Sequence, residues 1–310
     1  MAETKRVTVP GAEELLGKYF PVLDHGFVAL VDYMGTDDSV VQAARVSYGA
    51  GTKKRSEDRG LNRYLMRHRH TTPTEMVELK FHMKLPIFVA RQLVRHRTAS
   101  LNEYSGRYSL MPMQFYMPND EQMGLQSKKN KQGRAETLEQ SKIDAVKKIW
   151  DAFRADAVAA YKMGLEFDLT RELARIDLPL SLYTEWYWKM DLHNLFHFLS
   201  LRCDSHAQWE IRQFADVIAG MVKEVAPNSY ESWIDYKYCA KNFSRLELIA
   251  LEETLRTGKM SEERLKEIGL SKREIAEYRL KTSGPPDVPN HTLDLADAKS
   301  GEHFRKQAEL

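Results

Sequence analysis

The residues from 95 to 109 concentrate side chains that can bind a nucleotide. They read RHRTASLNEYSGRYS. A guanidinium group forms paired hydrogen bonds with a phosphate or a planar heterocycle. Hydroxyls and backbone N–H groups in a Ser-Gly turn can complete a phosphate cradle. The segment therefore predicts a local nucleotide site; the alternative is a solvated loop with ordinary surface arginines. The groups concerned are Arg95, His96, Arg97, Ser100, Asn102, Glu103, Ser105, Gly106 and Arg107.

Composition restricts the class of protein. The chain has 310 residues and a formal net charge of +2, so no global field attracts nucleic acid and any anion site must be local. No apolar run approaches the roughly 20 residues of a membrane helix, and the N-terminus lacks the apolar core of a signal peptide. The two cysteines, Cys203 and Cys239, do not suggest a disulfide scaffold. A cytoplasmic location is expected.

The elements around the nucleotide segment are predicted from periodicity. Residues 77–85 alternate between apolar and polar side chains, which indicates a half-buried strand. Pro86 then favours the start of a helix. Gln92 and Arg95 lie three residues apart near the end of that helix, so both should project from one face. The order is strand, helix and functional loop.

The rest of the chain is rich in helices, with a few strands. A strand is predicted over 26–34, and helices over 57–69, 136–163, 191–201 and 206–225, the last capped by Ser205. Residues 119–135 resemble a polar loop, and 182–190 an aromatic segment. Residues 49–55 lack the glycine spacing of a Walker or Rossmann loop. We predict an α+β fold, with helices packed around a mixed or antiparallel sheet.

The character of the chain changes near Lys241. Three short charged helices are predicted between residues 246 and 280, followed by a poorly ordered tail over 282–310. We therefore expect a catalytic domain over 1–240 and a charged helical extension with a mobile tail over 241–310.

Two further arginines occur in apolar surroundings. Arg175 lies in ARIDLPLSLYTEWYW, and Arg202 ends the largely apolar segment NLFHFLSLR. A charged residue at the position of Arg202 could extend to solvent or point into a site, and the pattern alone does not distinguish the two.

Several motifs together resemble the flavin-dependent thymidylate synthases. The family signature is Arg-His-Arg, seven residues and then Ser, which here closes at Ser105. The resemblance covers roughly residues 25–235, in the same order and with similar gaps. Its other motifs are ARVSYG at 44–49, HTTPTE at 70–75, LPIFVARQ at 85–92 and DSHAQWEI at 204–211.

The resemblance implies a set of roles for residues of this chain. Arg202 would contact the uracil edge of deoxyuridine monophosphate (dUMP) and favour loss of the N3 proton, since a fixed cation stabilises developing negative charge. The other implied dUMP residues are Gln92, Arg95, Glu103, Ser105, Gly106, Arg107 and Arg175. The implied FAD residues are Ser47, His70, Thr72, Glu75, Arg95, His96, Arg97, Glu103, Asp191, His193 and His197.

Some positions depart from the family pattern. Thr74 and Met76 stand where an aromatic residue and a histidine are common, which affects the expected packing beside the flavin. Asp191, His193 and His197 stand where Asn, Arg and Asn often touch FAD. His193 and His197 also have the four-residue spacing of metal ligands, but no third ligand is evident, so we expect no metal.

The implied reaction is the reductive methylation of dUMP to dTMP without a cysteine nucleophile. Methylenetetrahydrofolate would supply the carbon, FAD the hydride, and NADPH the electrons that reduce the flavin. The family fold has a non-Rossmann flavin site and forms a homotetramer whose active sites lie between subunits. Two alternatives remain: a non-catalytic nucleotide or flavin-binding protein, and a nucleic-acid-binding module that uses Lys128, Lys129, Lys131 and Arg134.

Overall fold

A five-stranded antiparallel sheet forms the centre of the larger unit in the computed structural model of the chain. The structure describes residues 6–46, 58–127 and 133–308. The strands of the described residues are β1 (Tyr19–Val22), β2 (Gly26–Met34), β3 (Glu78–Pro86), β4 (Ser100–Glu103), β5 (Gly124–Gln126), β6 (Arg134–Thr137) and β7 (Tyr183–Asp191). The five-stranded sheet has the order β1-β2-β3-β7-β4, and β5 and β6 form a separate two-stranded sheet.

The alternation in β3 explains its central position. Its apolar side chains are fully buried, which stabilises the sheet through removal of apolar surface from water. The exception on the polar face is Lys84, which is 3 % exposed and donates to the side chain of Gln114. The predicted strands over 26–34 and 77–85 are confirmed, and the aromatic segment is the strand β7, paired with β3.

Fourteen α-helices are present among the described residues, none of them long and apolar enough to cross a bilayer. They are α1 (Pro10–Leu15), α2 (Asp37–Val46), α3 (Asp58–Arg67), α4 (Thr72–Glu75), α5 (Ile87–Leu93), α6 (Gln140–Glu166), α7 (Arg171–Ala174), α8 (Leu192–Arg202), α9 (Trp209–Val225), α10 (Pro227–Trp233), α11 (Arg245–Thr257), α12 (Glu262–Ile268), α13 (Lys272–Thr282) and α14 (Gly301–Ala308). A 3-10 turn (Asp120–Gln122) and a π-helical turn (Ile234–Tyr238) also occur. The α+β class predicted from the sequence is confirmed, and every strand pair described is antiparallel.

Three local expectations near the nucleotide segment need correction. Helix α5 ends at Leu93, so Arg95 lies beyond it and does not share a helical face with Gln92. Part of the expected loop is the strand β4, because residues 100–103 pair with β7. Helix α9 begins at Trp209 with Gln208, rather than Ser205, at the N-cap position.

The chain divides into two compact units. The larger contains residues 1–230 and 291–310, and the smaller contains 231–290. The smaller unit has its own apolar cluster, which includes Ala250, Leu265 and Ile275. These limits differ from the expected boundary near residue 240.

The final segment belongs to the larger unit rather than forming a detached tail. Backbone hydrogen bonds pair Lys299 with Tyr19 at the end of β1. Phe304 and His291 are each 6 % exposed. The sequence-based expectation of a poorly ordered tail overlooked these burials, since they depend on contacts with distant residues.

Candidate active site

The Ser-Gly turn of the nucleotide segment lies against Arg175. Backbone N–H groups of Tyr108 and Ser109 donate to the carbonyl of Ser105, at 3.1 and 3.0 Å, which closes the turn. Gly106 is buried, and a Cβ atom there would approach Sδ of Met111 at 2.6 Å and Cδ of Arg175 at 3.0 Å. The absence of a side chain at position 106 therefore lets the Arg175 stem pack on the turn.

Helix α7 also holds Arg107, an arginine of the nucleotide segment, near the same turn. Nε of Arg107 lies 2.9 Å from a carboxylate oxygen of Glu172. Both side chains are about half exposed, so the pair contributes little stability and can exchange for a ligand. Arg171 also donates to the backbone carbonyl of Tyr108. Arg107 and Arg175 are thereby gathered around Ser105, as an anion site requires.

Glu103 stands at the edge of the sheet. Its carboxylate accepts a hydrogen bond of 2.7 Å from the hydroxyl of Thr184 on the neighbouring strand β7. The backbone N–H of Tyr104 then donates to the carbonyl of Glu185 at 2.7 Å. The strand pairing thus fixes where the Ser105 turn begins.

Arg202 contacts His96. Its Nε–H donates to Nε2 of His96 at 3.0 Å. Partial burial lowers the pKa of Arg202, whereas burial, followed by the charges of Arg202 and His197, lowers the pKa of His96 to about 4. Because a guanidinium can only donate, Nε2 of His96 must be the unprotonated nitrogen, and Nδ1 carries the proton. A neutral imidazole is therefore oriented by Arg202, the cation to which the family resemblance assigns a catalytic role.

Cys203 is unsuited to act as a nucleophile. It is 5 % exposed, and burial raises the pKa of its thiol. Its sulfur lies within 4.8 Å of a carboxylate oxygen of Asp216 and a ring nitrogen of His291. Cys203 is therefore a buried core thiol.

The residues around α4 line a separate cavity of about 790 Å³. His70 and Thr72 line it with Tyr64 and Met76. The ring of His70 lies edge-on to Tyr64, with 5.8 Å between the ring centroids. Glu75 ends the same helix and is exposed. Ser47 falls outside the described residues.

Helix α4 packs against α8, which carries the remaining histidines. His197 is exposed and His193 is half-buried. Asp191 instead caps α8: its carboxylate accepts from the backbone N–H of Asn194 at 2.9 Å and from the Asn194 amide at 2.6 Å. Its oxygens are therefore engaged in a local structural role.

Sequence reasoning missed the side chains that hold Gln92. Nε2 of Gln92 donates to Oε1 of Gln208 at 2.6 Å, and Nε2 of Gln208 donates to Glu210 at 2.9 Å. The motif DSHAQWEI carries part of the family resemblance, but nothing in its spacing indicates contact with α5.

Seven of the predicted site residues form two groups in one chain. One contains Ser105, Gly106, Arg107 and Arg175, and the other His96, His197 and Arg202. No hydrogen bond or ion pair among the described residues joins the two groups. Arg95 and Arg97 are exposed beside the second group and have no carboxylate partner in the described parts of the chain.

Comparison with known proteins decides the family. The family described as thymidylate synthase complementing protein matches residues 29–228. A flavin-dependent thymidylate synthase of Ruegeria pomeroyi is 49% identical over 282 residues, covering 90% of this chain and 92% of the relative. One of Rickettsia bellii is 46% identical, covering 88% of this chain and 97% of the relative.

The chain belongs to the flavin-dependent thymidylate synthase family. The family predicted from the signature and its accompanying motifs is therefore confirmed. Among solved structures, a UMP/dUMP methylase, PolB, from Streptomyces cacaoi bound with 5-Br UMP has a TM-score of 0.65 and 33% identity. The match covers 72% of this chain and 99% of that one.

Proposed function

We propose that this flavin-dependent thymidylate synthase family member converts dUMP to dTMP by reductive methylation, with methylenetetrahydrofolate as the carbon donor and NADPH as the reductant of FAD. The observation that carries the proposal is the convergence of Arg107 and Arg175 on the Ser105 turn. A further cation, Arg202, is hydrogen-bonded to His96 elsewhere in the same chain. Arg107 and Arg175 would match the phosphate of dUMP, and Arg202 would match the negative charge that develops on the pyrimidine ring.

The phosphate of dUMP would bind at the Ser105 turn. Arg107 would exchange Glu172 for phosphate, and the Ser105 hydroxyl would add a hydrogen bond. Gly106 would let the ligand and Arg175 approach the backbone closely. Gln92, Arg95 and Glu103 would hold the nucleoside.

Arg202 would act on the pyrimidine ring. A partly buried guanidinium interacts more strongly with developing negative charge than one in water. Its contact with neutral His96 leaves the charge of Arg202 unneutralised, since the described residues supply no carboxylate partner. Loss of the N3 proton would thereby become easier, and no thiol would be needed to activate the ring.

The donor set fits a flavin nucleotide. Exposed guanidiniums at Arg95 and Arg97 suit a diphosphate, and the cavity beside α4 offers His70, Thr72 and the Tyr64 ring. Glu75, His96, Glu103, His193 and His197 would complete the contacts, with Asp191 acting through the position of α8. FAD, when bound, supplies the hydride that the protein side chains cannot.

A homotetramer would bring the two groups of site residues together. Large apolar side chains that normally lie in interfaces are exposed, including Phe153 at 57%, Phe167 at 77% and Ile176 at 68%. Subunits packed through these surfaces would place cationic groups from different chains around one ligand. Light scattering that finds a stable monomer would contradict this part of the proposal. We place the enzyme in the cytoplasm and propose that its catalytic residues all lie within residues 1–240.

The test is an absorbance spectrum followed by turnover. The purified protein should show a bound flavin that bleaches with NADPH, and dTMP should form only when dUMP and methylenetetrahydrofolate are both present. Binding of FAD and dUMP without formation of dTMP would instead support the non-catalytic nucleotide-binding alternative.

One of the four cations that a nucleic-acid-binding module would use, Arg134, is already paired within the protein. Arg134 forms an ion pair with Glu210, which is 2 % exposed. Lys128, Lys129 and Lys131 fall outside the described residues. A steep dependence of RNA or DNA affinity on salt would be needed to revive this alternative.

A further inference from the structure

A buried carboxylate lies at the end of a hydrogen-bonded chain that leads to the predicted dUMP site. Glu210, in the first turn of α9, is 2 % exposed and accepts from the Tyr116 hydroxyl at 3.1 Å and from Arg134. Tyr116 is itself 6 % exposed, and its carbonyl accepts from Arg154 at 2.8 Å. These contacts hold the carboxylate in one place and leave its second oxygen for Gln208.

Glu210 determines which group donates and which accepts in each hydrogen bond between Gln92, Gln208 and Glu210. An ionised carboxylate can only accept, so Gln208 must present its NH₂ group to Glu210 and its carbonyl oxygen to Gln92. Gln92 must then present its own NH₂ group to Gln208, at 2.6 Å. Its carbonyl oxygen consequently faces away from Gln208.

The start of α9 supports a role beyond helix stability. Gln208 occupies the N-cap position, where a short side chain such as Ser or Asp usually accepts from the helix. Its side chain makes no capping hydrogen bond. The amide instead spans from Glu210 to Gln92, so a local stabilising contact is given up for one that orients another side chain.

We propose that Gln208 and Glu210 are positioning residues that orient the Gln92 amide so that its carbonyl accepts a hydrogen bond from dUMP. This inference rests on the proposed function, since it takes dUMP as the ligand beside Gln92. At neutral pH dUMP carries two hydrogen-bond donors, the uracil N3–H and the 3′-hydroxyl. A Gln92 carbonyl held in one orientation selects for one of them, whereas a freely rotating amide does not.

A double-mutant cycle on the FAD-loaded enzyme tests the connection. Gln208→Met keeps the length of the side chain and removes its hydrogen bonds, and should raise the Kd for dUMP about fivefold to tenfold. In the Gln92→Met background, Gln208→Met should change the Kd by less than about twofold. Gln140→Met is the matched control: this exposed glutamine also donates to a carboxylate, at 3.0 Å, but lies on α6.

Two analogues report the orientation itself. The wild-type enzyme should bind either N3-methyl-dUMP or 2′,3′-dideoxyuridine monophosphate at least about fivefold more weakly than dUMP. Gln208→Met should lessen that discrimination against the same analogue. For N3-methyl-dUMP, the part that Arg202 contributes at the uracil edge should remain. A purely structural role for Gln208 would weaken all three ligands equally.

The outcomes separate this inference from the function on which it rests. Three results would overturn the inference while the wild-type enzyme still binds dUMP. They are an unchanged Kd for dUMP in Gln208→Met, effects of the two substitutions on Kd that multiply in the double variant, and an unaltered preference for dUMP over the analogue. A wild-type protein that does not bind dUMP would overturn both.

Discussion

Arg202 donates its Nε–H to Nε2 of His96 at 3.0 Å, and this contact joins the end of α8 to the Arg-His-Arg signature. The arrangement keeps the imidazole neutral while the guanidinium retains its charge. The signature therefore supplies a partner that orients the cation without cancelling it.

Replacement of Arg202 should separate chemistry from cofactor binding. We expect Arg202→Ala to reduce dTMP formation by about 100- to 1,000-fold, the usual cost of removing a group that stabilises developing charge. FAD affinity should change far less. Turnover assays and flavin absorbance measure the two effects, and Arg212→Ala on α9 is the control. Equal loss of both properties would contradict the role of Arg202.

The depressed pKa of His96 predicts a dependence of stability on pH. The unfolded chain takes up a proton near pH 6.5, whereas folded His96 does so only near pH 4. Stability should therefore fall as the pH drops through this window, by about 1–2 kcal/mol once solvent around the half-buried ring is allowed for.

Urea unfolding at several pH values tests this effect. His96→Asn retains an acceptor for Arg202 but cannot titrate in the window, so its stability should vary less between pH 6.5 and pH 4. Parallel pH dependence in the wild-type protein and the variant would show that His96 is not the group responsible.

Gly106→Ala should displace Arg175. The new Cβ would meet Sδ of Met111 at 2.6 Å and Cδ of Arg175 at 3.0 Å, so one of these side chains must move. We expect about 1–3 kcal/mol of destabilisation from overpacking and a clear rise in the Kd for dUMP.

The matched control for this change is Gly60→Ala in α3. No described atom lies within 4 Å of its new Cβ, and alanine favours a helix over glycine by about 0.5–1 kcal/mol. In thermal unfolding, stability should thus move in opposite senses for the two variants, whereas in dUMP titration the Kd should rise only in Gly106→Ala. Unaltered dUMP affinity in Gly106→Ala would rule out a tightly packed phosphate turn.

Asp191 should behave as a helix cap. Asp191→Ala removes the acceptor for Asn194 and should cost about 1 kcal/mol of stability, while Asp191→Ser, which can still cap, should cost less. FAD affinity measured at a temperature where both variants are folded should stay within about twofold of wild type. A large loss of FAD with full stability would instead assign Asp191 to direct cofactor contact.

Local patterns predicted the elements but not all of their partners. The alternation from Val77 to Leu85 revealed β3 because burial on one face repeats every second residue. The strand at 100–103 escaped detection because its order comes from pairing with β7, more than eighty residues later in the chain. Lys84 is buried for the same reason: its partner, Gln114, is distant in sequence.

The candidate site shows the same limit. The signature and its accompanying motifs predict the site residues, and the structure adds that Arg175 packs on Gly106 and that Arg202 donates to His96. Gln208 and Glu210 could not be assigned from the sequence, because their significance lies in a hydrogen bond to a different helix.

The path of the chain around residues 231–290 has an evolutionary consequence. Tyr230, just before this segment, and His291, just after it, share a side-chain hydrogen bond of 2.7 Å. With the reach of the two side chains added, this contact keeps the backbone at the two positions within the span of about four extended residues. A single insertion or deletion event could therefore add or remove the whole segment without rerouting the rest of the polypeptide. Versions of this enzyme that lack residues 231–290 would then be expected to fold and function. The sequence of this segment should also diverge faster than that of the larger unit.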